Sequence, residues 1–519
     1  MARETPRPKG EAPRLDVVKR RKSPSGGESL HVKRQRRMGS LGKLVAAAGD
    51  AGLHDCAEAL GLRVPDDRLP GRPPKHGAWA MLLFSSARAV YGSAKRVAEE
   101  LRDEGVWPAV VKAATARIGA DAARYELENG PPTLSQFNYF QQRMSALGLH
   151  DALHTEFEAA AARTAQDMGL MPDHARTGVK DAARANVLAV DGKNHTSPTR
   201  YVKGDQWVDK DTGEIKERRY DPNKSTWGEG GKNRVRQGAK SVVAWSRHPA
   251  SGTRVIAGLT LMRPKHDGGE AAAIVDLITR VQDLNPGLTH VAVDGALRGT
   301  HLARLTPRGL VVVNKIQTAP TTAENAVTIN GKRFRKKRVH TLTHHSTAFG
   351  ACEHPIYGIG GGLFEEHVTS DGTVTHTRLP HHTTARGRKN GDYTDWYVQT
   401  RIACGRTDPT SGKLTPWTKT FYVPINPTRQ DQIDNVNRGE HVRQIPEIDT
   451  DDFNRIYGMR ADSESGNNGL EHAWYLDRIP SYGYDNQLLT LISYALMNNA
   501  VARATHHARA AARPPGQAA

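Results

Sequence analysis

Two apolar runs in this chain end in the same pair of residues. Val187–Val190 leads into Asp191-Gly192, and Val291–Val293 leads into Asp294-Gly295. Carboxylates at the ends of neighbouring strands can bridge divalent cations when a third carboxylate approaches from another element. Mg²⁺ takes such oxygen ligands and retains water. Two ions held this way clamp the attacking and leaving oxygens of a phosphodiester during in-line displacement. Taken alone, each Asp-Gly is equally an ordinary turn after a strand. A third acid lies in Tyr457-x2-Arg460-x3-Glu464, whose named residues fall at i, i+3 and i+7, one face of a helix. There Arg460 can hold a phosphate and offset the charge of Glu464. The plainer alternative is an exposed i, i+4 Arg–Glu pair, which contributes little.

The surrounding sequence indicates what would hold these acids. Residues 41–171 read as helical, because LGKLVAAAG, GAWAMLLFSSARAV, SAKRVAEELRDEGVW and LHDALHTEFEAAAARTAQDM carry apolar residues at three- and four-residue spacing. Ser93 and Ser135 read as N-caps. This layer is either a DNA-binding domain or a plain helical bundle, and residues 172–186 read as a linker. From residue 187 to 316 the order is β–β–β–α–β–α–β, with the polar, Gly-rich stretch after Gly192 as a long loop. In open α/β sheets, ligand-binding groups gather at strand ends. Residues 317–445 alternate short β-like runs with Gly, Pro, Asn and Thr, a β-rich insertion. Residues 446–505 return to helix, and 506–519 read as a disordered tail. The fold class is α/β: a mixed sheet with a β-rich insertion, preceded by an α-helical N-terminal domain.

Charge narrows the partners. The 519 residues carry 73 Lys/Arg against 55 Asp/Glu, a net charge of +18, so the expected partner is a polyanion, nucleic acid before an anionic membrane surface. No apolar run approaches the roughly 18 residues that span a bilayer, and the first 40 residues are charged rather than apolar, which argues against membrane and secreted classes. Three cysteines, Cys56, Cys352 and Cys404, cannot build a disulfide framework and suit a reducing cytoplasm.

Asp191, Asp294 and Glu464, in this strand order with a β-rich insertion before the last helix, resemble a DDE transposase with an RNase H-like core. Tyr457-x2-Arg460-x3-Glu464 resembles the Y-x2-R-x3-E-x6-K signature of one large group of bacterial insertion-sequence transposases. The resemblance spans roughly residues 187–505. It implies Mg²⁺-dependent cleavage at transposon ends, followed by attack of the freed 3′-hydroxyl on target DNA by a homodimer bound to duplex DNA. It also implies two Mg²⁺ ions, replaceable by Mn²⁺, with Asp191, Asp294 and Glu464 as catalytic metal ligands. Tyr457 and Arg460 would contact the terminal phosphate. One position departs: Glu471 stands where the signature has Lys. Gly466 and Gly469 are also poor helix formers in that segment. Two other readings stay open, a DNA-binding protein with an inert triad and an RNase H-like nuclease or resolvase that cuts without joining.

Further candidates lie in the insertion. Lys332, Arg333, Arg335, Lys336, Lys337 and Arg338 form the run KRFRKKR, read as an ordered phosphate-contacting edge. Eight histidines fall between His340 and His382, and Cys352-x-His354 with Cys404 and one more histidine could hold a structural Zn²⁺. Surface histidines near DNA are the plainer reading. Trp396 and Trp417 could stack on an extruded base or fill the insertion's core. Gly358–Gly362 only superficially resembles a phosphate loop, since no Lys-Ser/Thr follows. The first 40 residues hold twelve Lys/Arg against four Asp/Glu and read as a disordered basic arm. Deleting that arm should weaken DNA binding broadly and flatten its salt dependence, by about 0.9 in log–log slope for each phosphate that the arm neutralises. Gel-shift titrations over a salt series check this; an unchanged slope would exclude the arm from DNA binding.

Overall fold

The computed structural model describes residues 38–61, 75–119, 127–173, 179–228, 235–264, 268–297, 299–315, 322–346, 350–387, 394–407, 414–425, 428–434, 451–474 and 478–512. The basic arm up to residue 37 and the tail from 513 lie outside the described residues. The chain divides into two compact units, Met1–Gly39 and Ser40–Ala519. All elements below belong to the second.

Among the described residues, seven helices come first: α1 (Ser40–Ala48), α2 (Ala51–Gly61), α3 (Ala78–Tyr91), α4 (Ala94–Glu100), α5 (Val106–Ile118), α6 (Leu134–Ala146) and α7 (His150–Asp167). Helix α3 is buried continuously from Trp79 to Arg88, so it forms the centre of this layer. It stops at Gly92, whose left-handed backbone lets its N–H reach the Arg88 carbonyl. Ser93 caps α4 as expected, its hydroxyl accepting from the Arg96 N–H. The cap of α6 is Thr133 rather than Ser135, because Thr133 and Gln136 satisfy each other's backbone N–H groups in a capping box. The expected single helix through SAKRVAEELRDEGVW breaks between Leu101 and Gly105, with Gly105 in a left-handed conformation.

The central sheet follows: β1 (Val187–Thr196), β2 (Gln206–Val208), β3 (Ile215–Glu217), β4 (Ser225–Gly228), β5 (Val235–Arg247), β6 (Arg254–Met262), helix α8 (Gly269–Leu284), β7 (His290–Val293), helix α9 (Gly299–Leu305) and β8 (Val311–Val313). The strands run β6-β5-β1-β7-β8, with β4 also paired to β5. Strands β1, β7 and β8 are parallel; β5 runs against β1, and β6 against β5. The expected long loop after Gly192 instead holds the rest of β1, the β2–β3 hairpin and β4. Alternation along the strands separates two faces. Leu188, Val190, Val242, Ala244, Val291 and Val293 pack against α8. Ala189, Val243, Trp245 and Ile256 face the helical layer.

The β-rich stretch comprises β9 (Ala326–Ile329), β10 (Lys332–Ser346), β11 (Gly350–Ile359), β12 (Gly362–Val368), β13 (Val374–Arg378), β14 (His381–Gly387), β15 (Thr394–Thr407) and β16 (Leu414–Pro424). It makes two antiparallel sheets, β13-β12-β11-β10-β9 and β14-β15-β16. Their shared core, with Leu342, Ile356, Val398, Ile402 and Val423, continues onto Val187, Ala292 and Val313 of the central sheet. Gly360 and Gly361, both left-handed, turn β11 into β12, so Gly358–Gly362 belongs to a hairpin.

The chain ends with α10 (Arg429–Ile433), α11 (Asp451–Tyr457), a 3₁₀ turn over Gly458–Arg460, α12 (Ala461–Glu471) and α13 (Tyr484–Ala511). Helix α13 runs beyond residue 505 to Ala511, through the first part of the expected tail. Its Leu488, Leu489, Ile492 and Leu496 join the core of the N-terminal helices. Arg88 of α3 donates to the Pro480 carbonyl at 2.9 Å and the Ser481 hydroxyl at 3.1 Å just before α13. The N-terminal helices therefore share one core with the sheet. The expected linker is packed as well: Val179, Ala182 and Asn186 are buried, and Asn186 donates to the Gly287 carbonyl at 2.8 Å.

Helix α12 passes without interruption through Gly466 and Gly469. A Cβ on Gly466 would lie 2.4 Å from the indole of Trp245, itself fully buried, so glycine is what allows the helix to press onto β5. Gly466→Ala should lower stability by about 1–3 kcal/mol through overpacking, despite alanine's better helix propensity. Urea denaturation checks this by a fall in midpoint; a rise would show that the helix can stand off from Trp245.

Candidate functional site

Register brings the two aspartates together. In the parallel pairing of β1 with β7, Val190 stands beside Val293. Asp191 and Asp294 are the next residues on the two strands, and both line one cleft of about 470 Å³. Strand β1 does not end there, since Asp191 and Gly192 continue to pair with Val243 and Val242 of β5. Asp294 does close its strand: its Oδ1 accepts the Ala296 N–H at 2.9 Å, so the turn geometry and the place in the cleft coexist.

Glu464 comes from α12 and lines the same cleft, as do Asn467, Asn468 and Glu471. Tyr457, Arg460 and Glu464 do not lie on one regular helix as the spacing suggests. Tyr457 ends α11, Arg460 sits in the 3₁₀ turn, and Glu464 is in the first turn of α12. The tighter turn still keeps them in contact. Arg460 donates to Glu464 Oε1 at 2.5 Å, and its guanidinium lies 5.6 Å from the Tyr457 ring centroid. Lys315 approaches the same ring at 5.2 Å.

One buried carboxylate anchors α12. Asp462, 4% exposed, accepts from Arg184 at 2.5 Å, Arg247 at 3.0 Å and Arg254 at 3.2 Å. These arginines stand before β1, at the end of β5 and at the start of β6. Asn467 then bridges the next turn to the sheet: its amide donates to Asp191 Oδ2 at 3.3 Å, while Trp245 Nε1 donates to Asn467 Oδ1 at 3.3 Å.

Two further acids enter the cleft already neutralised. Glu270, in the first turn of α8, accepts from Lys240 at 2.6 Å. Gly192 makes room for this pair, since a Cβ there would fall 1.8 Å from Glu270 Oε1. Glu471 accepts from Lys193 at 2.5 Å and from Arg236 at 3.0 Å, and these cations hold its carboxyl below the usual range. By contrast, among the described residues neither Asp191 nor Asp294 forms an ion pair. Burial, then the charge of Asp294, pushes the Asp191 carboxyl up to about 6.

The remaining expected contacts fall elsewhere. Lys332, Arg333, Arg335, Lys336, Lys337 and Arg338 lie on β10, where Lys332–Arg335 pair with β9 and Lys336–Arg338 with β11. Alternation sends their side chains to both faces, and Lys336 is spent on Glu366 and the Tyr357 ring. None of the six lines the acid cleft. Trp417 stacks against the rings of His344 and His354, centroids 4.5 and 5.6 Å away. The side chain of Trp396 lies outside the described residues.

The spacing of acids did not point to Glu270, Asn467, Lys193, Lys240, Arg236 or Asp462. Lys193 follows the first Asp-Gly directly, and Asp462 precedes Glu464 by two residues; only those two stand beside a motif. No family model and no curated protein matches the chain. No helix among the described residues is long and apolar enough to cross a membrane.

The raised Asp191 carboxyl fixes the sign of a pH effect. Between about pH 4 and 6 the folded protein retains a proton that the unfolded chain has released. The cost of ionising Asp191 is therefore absent below about pH 4 and complete above about pH 6. In chelator, Asp191→Asn should raise stability by roughly 1–3 kcal/mol at pH 7.5, with the gain vanishing by pH 4. Denaturant titrations across this range check it; a gain independent of pH would point to packing instead.

Proposed function

We propose that this protein is a Mg²⁺-dependent DNA transposase of the DDE type with an RNase H-like core. The observation that carries the reading is the electrostatic contrast within the cleft. The chain neutralises Glu270 and Glu471 with its own cations but leaves Asp191 and Asp294 adjacent and without an ion pair among the described residues. Glu464, in the same cleft, is held by Arg460 in the i, i+4 pair that its spacing also allowed, so in this reading Arg460 must release it to a cation. Such a set suits external divalent cations, and an all-oxygen donor set favours Mg²⁺ or Mn²⁺. The strand order β6-β5-β1-β7-β8, with two antiparallel strands leading into three parallel ones, supports the core assignment.

In this reading Asp191, Asp294 and Glu464 hold the ions. When bound, these polarise the phosphodiester and stabilise the oxygens that attack and leave. Asn467 steers Asp191 by its amide, and Asp462 fixes the helix from which Glu464 reaches in. Arg460 offers its guanidinium to a phosphate at the rim, with the Tyr457 ring beneath it. Lys193 and Arg236 supply positive charge beside the cleft, where the resembling signature would place a lysine at position 471. The net charge of +18 supports duplex DNA as both substrate and target, and the reading places a homodimer on it.

Alanine at Asp191, Asp294 or Glu464 should abolish Mg²⁺-dependent nicking and joining while leaving gel-shift affinity for transposon ends intact, since DNA affinity comes from Lys and Arg contacts. Glu471→Gln should retain cleavage and tighten binding, because Lys193 and Arg236 lose their carboxylate partner. Nicking and joining assays on end-containing duplexes, in Mg²⁺ or Mn²⁺, check the set. Robust cleavage by Glu464→Ala would remove it from the metal ligands, and cutting without joining would replace the transposase reading by a nuclease.

A further inference from the structure

The β-rich segment contains a second cluster, unconnected with the acid cleft and built from softer ligands. Cys352 and His354 are two residues apart on β11, so both side chains leave the same face of the strand as the buried Ile356. On the facing sheet, Cys404 follows Ile402 at the same two-residue step along β15. The apolar core between the sheets runs through Ile356 and Ile402 and gives way, one step further along each strand, to sulfur and imidazole. The Cys352 and Cys404 sulfurs lie 3.5 Å apart. Those sulfurs and a ring nitrogen of His354 all fall within 4.8 Å of one another. Two thiolates about 2.3 Å from one tetrahedral ion stand roughly 3.8 Å apart, so the sulfurs need move little to share one.

The histidine provides the second, independent observation. His354 is 5% exposed, and its Nδ1 lies 2.6 Å from Oε1 of Glu365, a buried carboxylate on β12. Its Nε2 is buried with no hydrogen-bond partner among the described residues. A buried ring nitrogen without a partner is costly. A carboxylate on the other nitrogen is the arrangement that orients metal-binding histidines and raises their basicity. The Trp417 ring stacked at 5.6 Å further limits how the imidazole can turn.

We propose that Cys352, His354 and Cys404 bind one Zn²⁺ through two thiolates and the His354 Nε2, with solvent at the fourth position, and that this ion joins the two sheets of the β-rich segment. Thiolate and imidazole donors select Zn²⁺ over Mg²⁺, so the site is chemically separate from the carboxylate cleft. Binding releases the two thiol protons to solvent and involves no electron transfer.

The test uses the full chain purified under reducing conditions. Elemental analysis should find about one zinc per chain, retained by Asp191→Ala and lost from Cys404→Ser and His354→Gln. Should those variants fail to fold, the wild-type chain still decides. After metal removal, Co²⁺ should give thiolate-to-cobalt charge transfer and intense tetrahedral d–d bands that stoichiometric Zn²⁺ bleaches. Glu365→Gln should weaken Zn²⁺ about 10- to 100-fold against a chromophoric chelator. A wild-type chain that neither carries zinc nor takes up Zn²⁺ or Co²⁺ overturns the proposal. So does a Cys352–Cys404 disulfide that accounts for both thiols in the reduced, metal-free preparation.

Discussion

The placement of helix α12 depends on a single buried charge. Asp462 accepts from three arginines that arrive from the residue stretch before β1, from β5 and from β6, which are separate parts of the sheet. A carboxylate so surrounded has little freedom, and truncating it would leave three guanidiniums competing for water in a half-buried site. Everything α12 brings to the cleft is measured from this point. Glu464 follows by half a turn, Asn467 by more than one turn, and Glu471 ends the helix against Lys193 and Arg236. The close approach of Gly466 to Trp245 sets the height of the helix above the sheet, while Asp462 sets its position along it.

The cleft that results is graded in charge. Its flanks are held by Lys240 with Glu270 and by Lys193 with Glu471, both internally balanced. Its centre keeps two neighbouring carboxylates, and burial together with their mutual repulsion raises the Asp191 carboxyl. The register of β1 with β7, with Val190 beside Val293, sets side by side the backbones from which the two carboxylates project. A proton or a cation placed between them relieves the repulsion that this register builds in. This is the physical basis on which we read the cleft as a site for divalent ions.

Much of this arrangement was legible in the chain. The alternation of the strands, the amphipathic α8 and the two Asp-Gly pairs follow from local periodicity, and the structure places Asp191, Asp294 and Glu464 in one cleft. What local patterns could not carry were pairings between distant residues. Nothing near Asp462 announces arginines more than 200 residues away, and nothing near Gly466 announces Trp245. The same limit holds for β10, whose run of positive residues does not announce that its first half pairs with β9 and its second half with β11. Thr133 displaced Ser135 as a cap because only Thr133 has Gln136 three residues on. Helix α13 exceeds its expected end because Ala-rich sequence continues to Ala511 without a breaker.

The position of α13 also ties together segments that lie far apart in the sequence. Helices α1 and α3 share their core with Leu488, Leu489, Ile492 and Leu496 of α13. Without α13 those helices would carry an uncovered apolar face, and Arg88 would lack the Pro480 and Ser481 oxygens that it meets in the folded chain. Docking of α13 is therefore the closure that hides this face, and a chain in which it has not docked is open to association through it.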